Sequence, residues 1–153
     1  IRYSRVGDGN TVERYLKPVG IMFSEFYFYL VGFIDMEKSG KVEFEVDNDP
    51  FPTIYRIDRI TEFEILPERF NVPYENRFEE GEFRKRVQFM YGGTLQKIKF
   101  WFHGPSIEAV LDRLPTAQVL ETSEKGYLIS AEVFGKGIDM WLRSQSPWIE
   151  RVE

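Results

Sequence analysis

Apolar and polar positions alternate along residues 1–6 (IRYSRV), and Gly7-Asp8-Gly9-Asn10 then supplies residues that tolerate positive φ, so the chain is predicted to open with a hairpin. The second strand is expected over residues 11–22, bent at Pro18 because proline cannot donate to a central ladder, with residues 19–23 continuing after the bend. Ser24-Glu25 makes a turn, and residues 26–35 form a third strand. In that strand Phe26, Phe28, Leu30 and Gly32 share one face, while Tyr27, Tyr29, Val31 and Phe33 share the other. The wholly apolar first face is expected to hold a core. Two roles fit the tyrosines: core residues with their hydroxyls at the rim, or a wet wall that stacks on or hydrogen-bonds to a ligand.

Residues 36–40 read as a polar turn, 41–46 as a short alternating strand, and 47–52 as a loop with two prolines. Residues 53–66 are extended, with apolar positions at Ile54, Ile57, Ile60, Phe63 and Ile65. Their irregular spacing predicts a bend or bulge near Asp58-Arg59. About five short, strongly twisted strands within residues 1–68 fit a small closed β-barrel of Sm-like or SH3-like plan.

Residues 69–82 break the pattern with Pro73, two asparagines and an acidic run, and read as a linker. Residues 83–91 are a candidate strand, and residues 94–102 alternate, with Gln96, Ile98, Phe100 and Phe102 as the expected buried face. Gly104-Pro105-Ser106 starts a helix carrying Ile107, Val110, Leu111 and Leu114 at i, i+3, i+4, i+7. Strands over 117–122 and 127–134, a helix over 135–146 and a closing strand over 148–152 complete a β-α-β-β-α-β order, the ferredoxin-like plan, over 83–153. The expected class is α+β, a small barrel followed by a ferredoxin-like unit.

Composition narrows the function classes. Cysteine is absent, which removes disulfides, zinc-thiolate sites and thiol nucleophiles together and makes the cytoplasm the default compartment. No apolar run approaches the roughly 18–20 residues that span a bilayer, so no membrane partner is expected. A net charge of -5 argues against indiscriminate coating of DNA while leaving room for a local basic groove. His103 is the only histidine and lies beside a Gly-Pro corner, with no serine in a nucleophile-elbow context. Asp47-Asn48-Asp49 lacks the glycine and terminal glutamate of a calcium loop. A binder rather than an enzyme is expected, with no metal and no cofactor.

Within the first half, Phe28-Tyr29-Leu30, the run Tyr55-Arg56-Ile57-Asp58-Arg59-Ile60 and the upstream Arg14-Tyr15-Leu16-Lys17-Pro18 occur in this order. Together they resemble the WYL domain, the sensory module of many bacterial transcription regulators, with Phe28 in place of the usual tryptophan. Phe102-His103-Gly104-Pro105 and residues 137–142 (GIDMWL) resemble the C-terminal extension that often follows it. The resemblance implies an Sm-like barrel that senses a nucleotide or single-stranded nucleic-acid effector, with operator DNA read by a helix-turn-helix domain absent from these residues. It also implies a homodimer, since family members use the extension for dimer contacts or to complete the ligand site. Carried over by position, the ligand-binding candidates are Tyr29, Arg56 and Arg59, then Ser24, Tyr27 and Arg14. The chain begins at Ile1 inside a strand pattern, and is expected to be part of a longer protein.

The chemistry fits those residue types. Guanidinium groups offer planar paired donors to phosphate oxygens, and aromatic faces stack on bases in a sequence-tolerant way. Pairing of Arg56 and Arg59 with Asp58, Glu62 or Glu64 on a solvated sheet surface is the competing reading of the same residues. A protein-protein interaction module with no small ligand is the alternative function.

Overall fold

Gly9, at a φ of 69°, turns the chain between β1 (Arg2–Ser4) and β2 (Thr11–Glu13), with Asn10 N donating to Asp8 Oδ1 at 3.0 Å. The computed structural model describes residues 1–40, 42, 52–72 and 77–152. The chain forms two compact units, Ile1–Glu80 and Gly81–Glu153, and is α+β, with antiparallel sheets and four α-helices among the described residues.

In the first unit β3 (Leu16–Ser24) and β4 (Tyr27–Ile34) make the long hairpin, its tight turn carrying Glu25 at a φ of 54°. The strand expected over 11–22 is thus two strands, and the break falls at Arg14-Tyr15 rather than at Pro18. Arg14 N donates to Ile1 O and Tyr15 N to Ser39 Oγ, so partners outside the β3-β4 ladder take these two amides. Pro18 stays inside β3 because that strand lies at the sheet's edge, and the pairing register shifts between Pro18 and Gly20. Opposite it stands Gly32, where a Cβ would lie 3.1 Å from Lys17 O. The polar turn is helix α1 (Met36–Ser39), capped by Asp35, which accepts from Lys38 N at 3.2 Å.

β5 (Thr53–Arg56) adds to β4, and a 3₁₀ turn (Ile57–Arg59) leads directly into β6 (Ile60–Glu62), which pairs with β1. The expected bend near Asp58-Arg59 is therefore the corner between two three-stranded sheets, β3-β4-β5 and β2-β1-β6. The strand expected over 41–46 lies outside the described residues except for Val42, which is in no regular element.

The expected inside face is corrected. Phe26 is 83% exposed and Phe28 57%, whereas Met22 and Val31 are completely buried. Met22 stands opposite Tyr29, and Val31 is two residues beyond it, so burial follows the tyrosine face at this end of the hairpin. Along the phenylalanine face, Tyr55, opposite Leu30, is buried and meets Tyr3 edge-on at 5.1 Å. Both faces carry large apolar side chains, and alternation alone does not say which one a twisted sheet covers.

Helix α2 (Glu80–Arg86) starts at the last residue of the first unit and runs into the second, where the end of a linker and then a strand from residue 83 were expected. Phe83 and Val87 are buried at i, i+4, Phe83 stacks on Phe134 at 5.5 Å, and Glu82 pairs with both Lys85 and Arg86 at helical spacing. The chain continues through β7 (Leu95–Phe102), α3 (Ile107–Arg113), β8 (Gln118–Ser123), β9 (Gly126–Phe134), α4 (Gly137–Ser144) and β10 (Ile149–Val152). These strands form one antiparallel sheet in the order β10-β7-β9-β8. Its core joins Ile98, Phe100, Phe102, Ile129, Ala131 and Val133 to Val110 and Leu114 of α3 and to Ile138, Trp141 and Leu142 of α4. Gln96 ends the buried face of β7 as a half-buried polar residue whose amide donates to Gly135 O at 2.5 Å.

Candidate functional site

Antiparallel pairing of β4 with β5 sets Arg56 directly opposite Tyr29, and Tyr27 precedes Tyr29 on the same face by the two-residue strand period. The Arg56 guanidinium carbon lies 3.8 Å from the centroid of the Tyr27 ring, a cation–π stack that fixes the guanidinium plane. The chain then enters the 3₁₀ turn, closed by Ile60 N donating to Ile57 O. Residues three apart eclipse in such a turn, which brings Arg59 back toward Arg56.

Asp58, within the turn, occupies the fork of Arg56. Arg56 Nε donates to Asp58 Oδ1 at 2.7 Å and Nη2 to Oδ2 at 2.8 Å, two parallel charge-assisted bonds. The Arg56 side chain is 22% exposed and that of Asp58 52%. The hydrogen bond from Arg56 holds the Asp58 carboxyl below its ordinary value, and Arg59 adds to the effect through its charge. Asp58 in turn pushes the Arg56 guanidinium up. Arg59 Nε is buried and has no hydrogen-bond partner among the described residues.

The half-buried Tyr29 hydroxyl senses the whole group. Burial pushes its pKa up, Arg56 and Arg59 oppose the rise, and Glu25 and Tyr27 reinforce it. Tyr29, Tyr27, Arg56 and Arg59 are thus brought together, with Ser24 half-buried at the hairpin end opposite Tyr27. Arg14 is not. It donates to Glu13 O at 2.8 Å and acts on Tyr55, whose side chain leaves β5 on the face opposite Arg56. Of the carboxylates considered for surface pairing, Asp58 takes Arg56, whereas Glu62 pairs with Arg2 at 2.8 Å.

The residue that sequence reasoning did not place in the site is Asp58. The two-residue spacing from Arg56 across a predicted bend was the signal available, since a turn at that point folds the carboxylate back onto the guanidinium. The group can stack a planar ring on a tyrosine and present guanidinium edges to anionic oxygens. Among the described residues no cluster of three or more acidic or histidine side chains suits a metal ion, and no helix is long and apolar enough to cross a membrane.

No family model and no curated protein matches the chain. Among solved structures the chain is similar to proteasome accessory factor B/C (PafBC) of Arthrobacter aurescens, at 15% identity and a TM-score of 0.40. That alignment covers 99% of this chain and 22% of that one, so the chain spans about a fifth of its length.

Proposed function

We propose that the chain is the ligand-sensing and oligomerisation region of a bacterial transcription regulator, acting in the cytoplasm as a homodimer and as a binder rather than an enzyme. Residues 1–68 would be a WYL-type Sm-like barrel, 69–82 a linker and 83–153 a ferredoxin-like C-terminal extension. A nucleotide or single-stranded nucleic acid binds the face carrying Tyr27, Tyr29, Arg56 and Arg59. Bound effector biases how helix-turn-helix domains outside this chain are held on operator DNA. It does so only through different affinity for two arrangements of the protein.

One observation carries this proposal: a stacked tyrosine and two arginines come together at a single sheet corner, and one arginine has a buried donor with no acceptor among the described residues. Leaving such a donor unmet costs on the order of 1–3 kcal/mol, so the corner is not built for stability alone. The test is fluorescence anisotropy of a labelled oligothymidylate, with nucleoside triphosphates as competitors, across a salt series. Arg56→Ala combined with Arg59→Ala is expected to weaken binding by about 100-fold and to lower the salt slope by roughly 1 to 1.5. Unchanged binding removes the basic groove from the proposal.

A second proposal, a protein-protein interaction module without a small ligand, is favoured by exposed Ile21, Phe23 and Phe28 on the other face of the hairpin, with the Phe23 and Phe28 rings 5.0 Å apart. The same titration separates the two, because the interaction module expects no nucleotide or oligonucleotide binding at all.

A further inference from the structure

We infer that the Asp58 carboxylate is an internal competitor for the ligand, an anion built into the chain that holds the Arg56 fork until an incoming phosphate group displaces it. The inference rests on the ligand site proposed above.

Three features argue for displacement. The two parallel bonds from Arg56 to Asp58, at 2.7 and 2.8 Å, have the geometry in which a guanidinium grips a phosphate, so ligand and carboxylate need the same edge. The plane of Arg56 has a second support, the Tyr27 ring at 3.8 Å, so the fork stays oriented when Asp58 leaves. The Asp58 side chain is half exposed in a short turn between two strands, and its carboxylate has water to move into.

Arg59 explains why a phosphate would win. Both oxygens of Asp58 are engaged by Arg56, and Arg59 Nε, one residue further along the turn, has no acceptor among the described residues. A carboxylate has two oxygens and serves one fork. A phosphate group presents three or more and carries more charge, so it can fill the Arg56 fork and also answer the charge of Arg59, which already acts on Asp58 and Tyr29. Asp58 therefore sets the threshold of the site: it excludes anions that fill only the Arg56 fork, such as carboxylates, and yields to a ligand that also answers the charge of Arg59.

The test compares the purified chain with its Asp58→Asn variant, which keeps the size and one acceptor oxygen but loses the charge. Three probes are titrated: inorganic phosphate, a nucleoside monophosphate, and a labelled oligothymidylate of about 12 nucleotides. A free phosphate site answers to the first two, and a strand-binding site to the third alone. Asp58→Asn is expected to bind the responding probe about tenfold more tightly. In the Arg56→Ala background the same change is expected to give no gain, because the fork it frees is gone.

Equal or weaker binding by Asp58→Asn would overturn the inference, showing that Asp58 positions Arg56, and would leave the ligand site standing. A tenfold gain that survives Arg56→Ala would overturn it too, as a general charge effect. No binding of any probe by either protein would remove the site and the inference together. Asp58→Ser, with the folding of both variants checked by thermal unfolding, gives a second route to each outcome if the asparagine variant fails to fold.

Discussion

Tyr55 and Tyr29 lie one residue apart in cross-strand register, since Tyr55 faces Leu30 and Arg56 faces Tyr29, yet they serve opposite sides of the sheet. Tyr55 is buried against Tyr3, and desolvation pushes its phenol up to about 12 from 10.0, with Arg14 opposing. Below about pH 10 the phenol is neutral in both folded and unfolded chains. Between about 10 and about 12 the unfolded chain releases the proton while the folded chain keeps it, so stability falls as pH rises through that window. Tyr55→Phe is expected to flatten this alkaline limb by on the order of 2 kcal/mol in denaturant titrations repeated across the window. An unchanged slope would place the phenol in water. This division of labour was only partly legible. Tyr29, Arg56 and Arg59 could be named from the motif, but Arg14 follows the strand break at Arg14-Tyr15, and the side it takes depends on pairing with residues far along the chain. Asp58 was visible as an ion-pair partner, and only the 3₁₀ turn shows that it fills the fork.

At the scale of elements, the β3-β4 hairpin is the frame that holds the corner, and its tightest approach is at Gly32. A Cβ there would come within 3.1 Å of Lys17 O and 3.2 Å of Pro18 Cα, both backbone atoms of the paired strand. Gly32→Ala is expected to cost about 1–3 kcal/mol of stability by urea denaturation, because backbone cannot rotate away as a side chain can. A loss below about 0.5 kcal/mol would mean that the strands separate there without cost. The hairpin's existence was readable from alternation and turn residues. Its inside face was not, because Phe26 and Phe28 are as apolar as the Met22 and Val31 that are buried instead. Helix α2 was misread for a related reason: Phe83, Val87, Phe89 and Tyr91 satisfy both a four-residue and a two-residue spacing, and the packing of Phe83 on Phe134 decides between them.

At the scale of the whole molecule, two units with separate character follow one another in the chain. The second is built on an apolar core of sheet and helix residues whose spacing was clear in the sequence: Ile98, Phe100 and Phe102 at period two, and Val110 and Leu114 at period four. The first has small sheets and places aromatic and charged side chains at the corner between them. The proposed function depends on that corner. Its most direct test is an NMR titration of the chain, labelled at arginine, with oligothymidylate, following the side-chain Nε–H resonances. The Arg56 Nε–H, held by Asp58 in the free protein, is expected to shift as the ligand replaces the carboxylate, and the buried Arg59 Nε–H, without a partner among the described residues, is expected to shift with the change in charge beside it. Saturable binding that leaves both resonances in place would contradict the assignment of this corner as the ligand site.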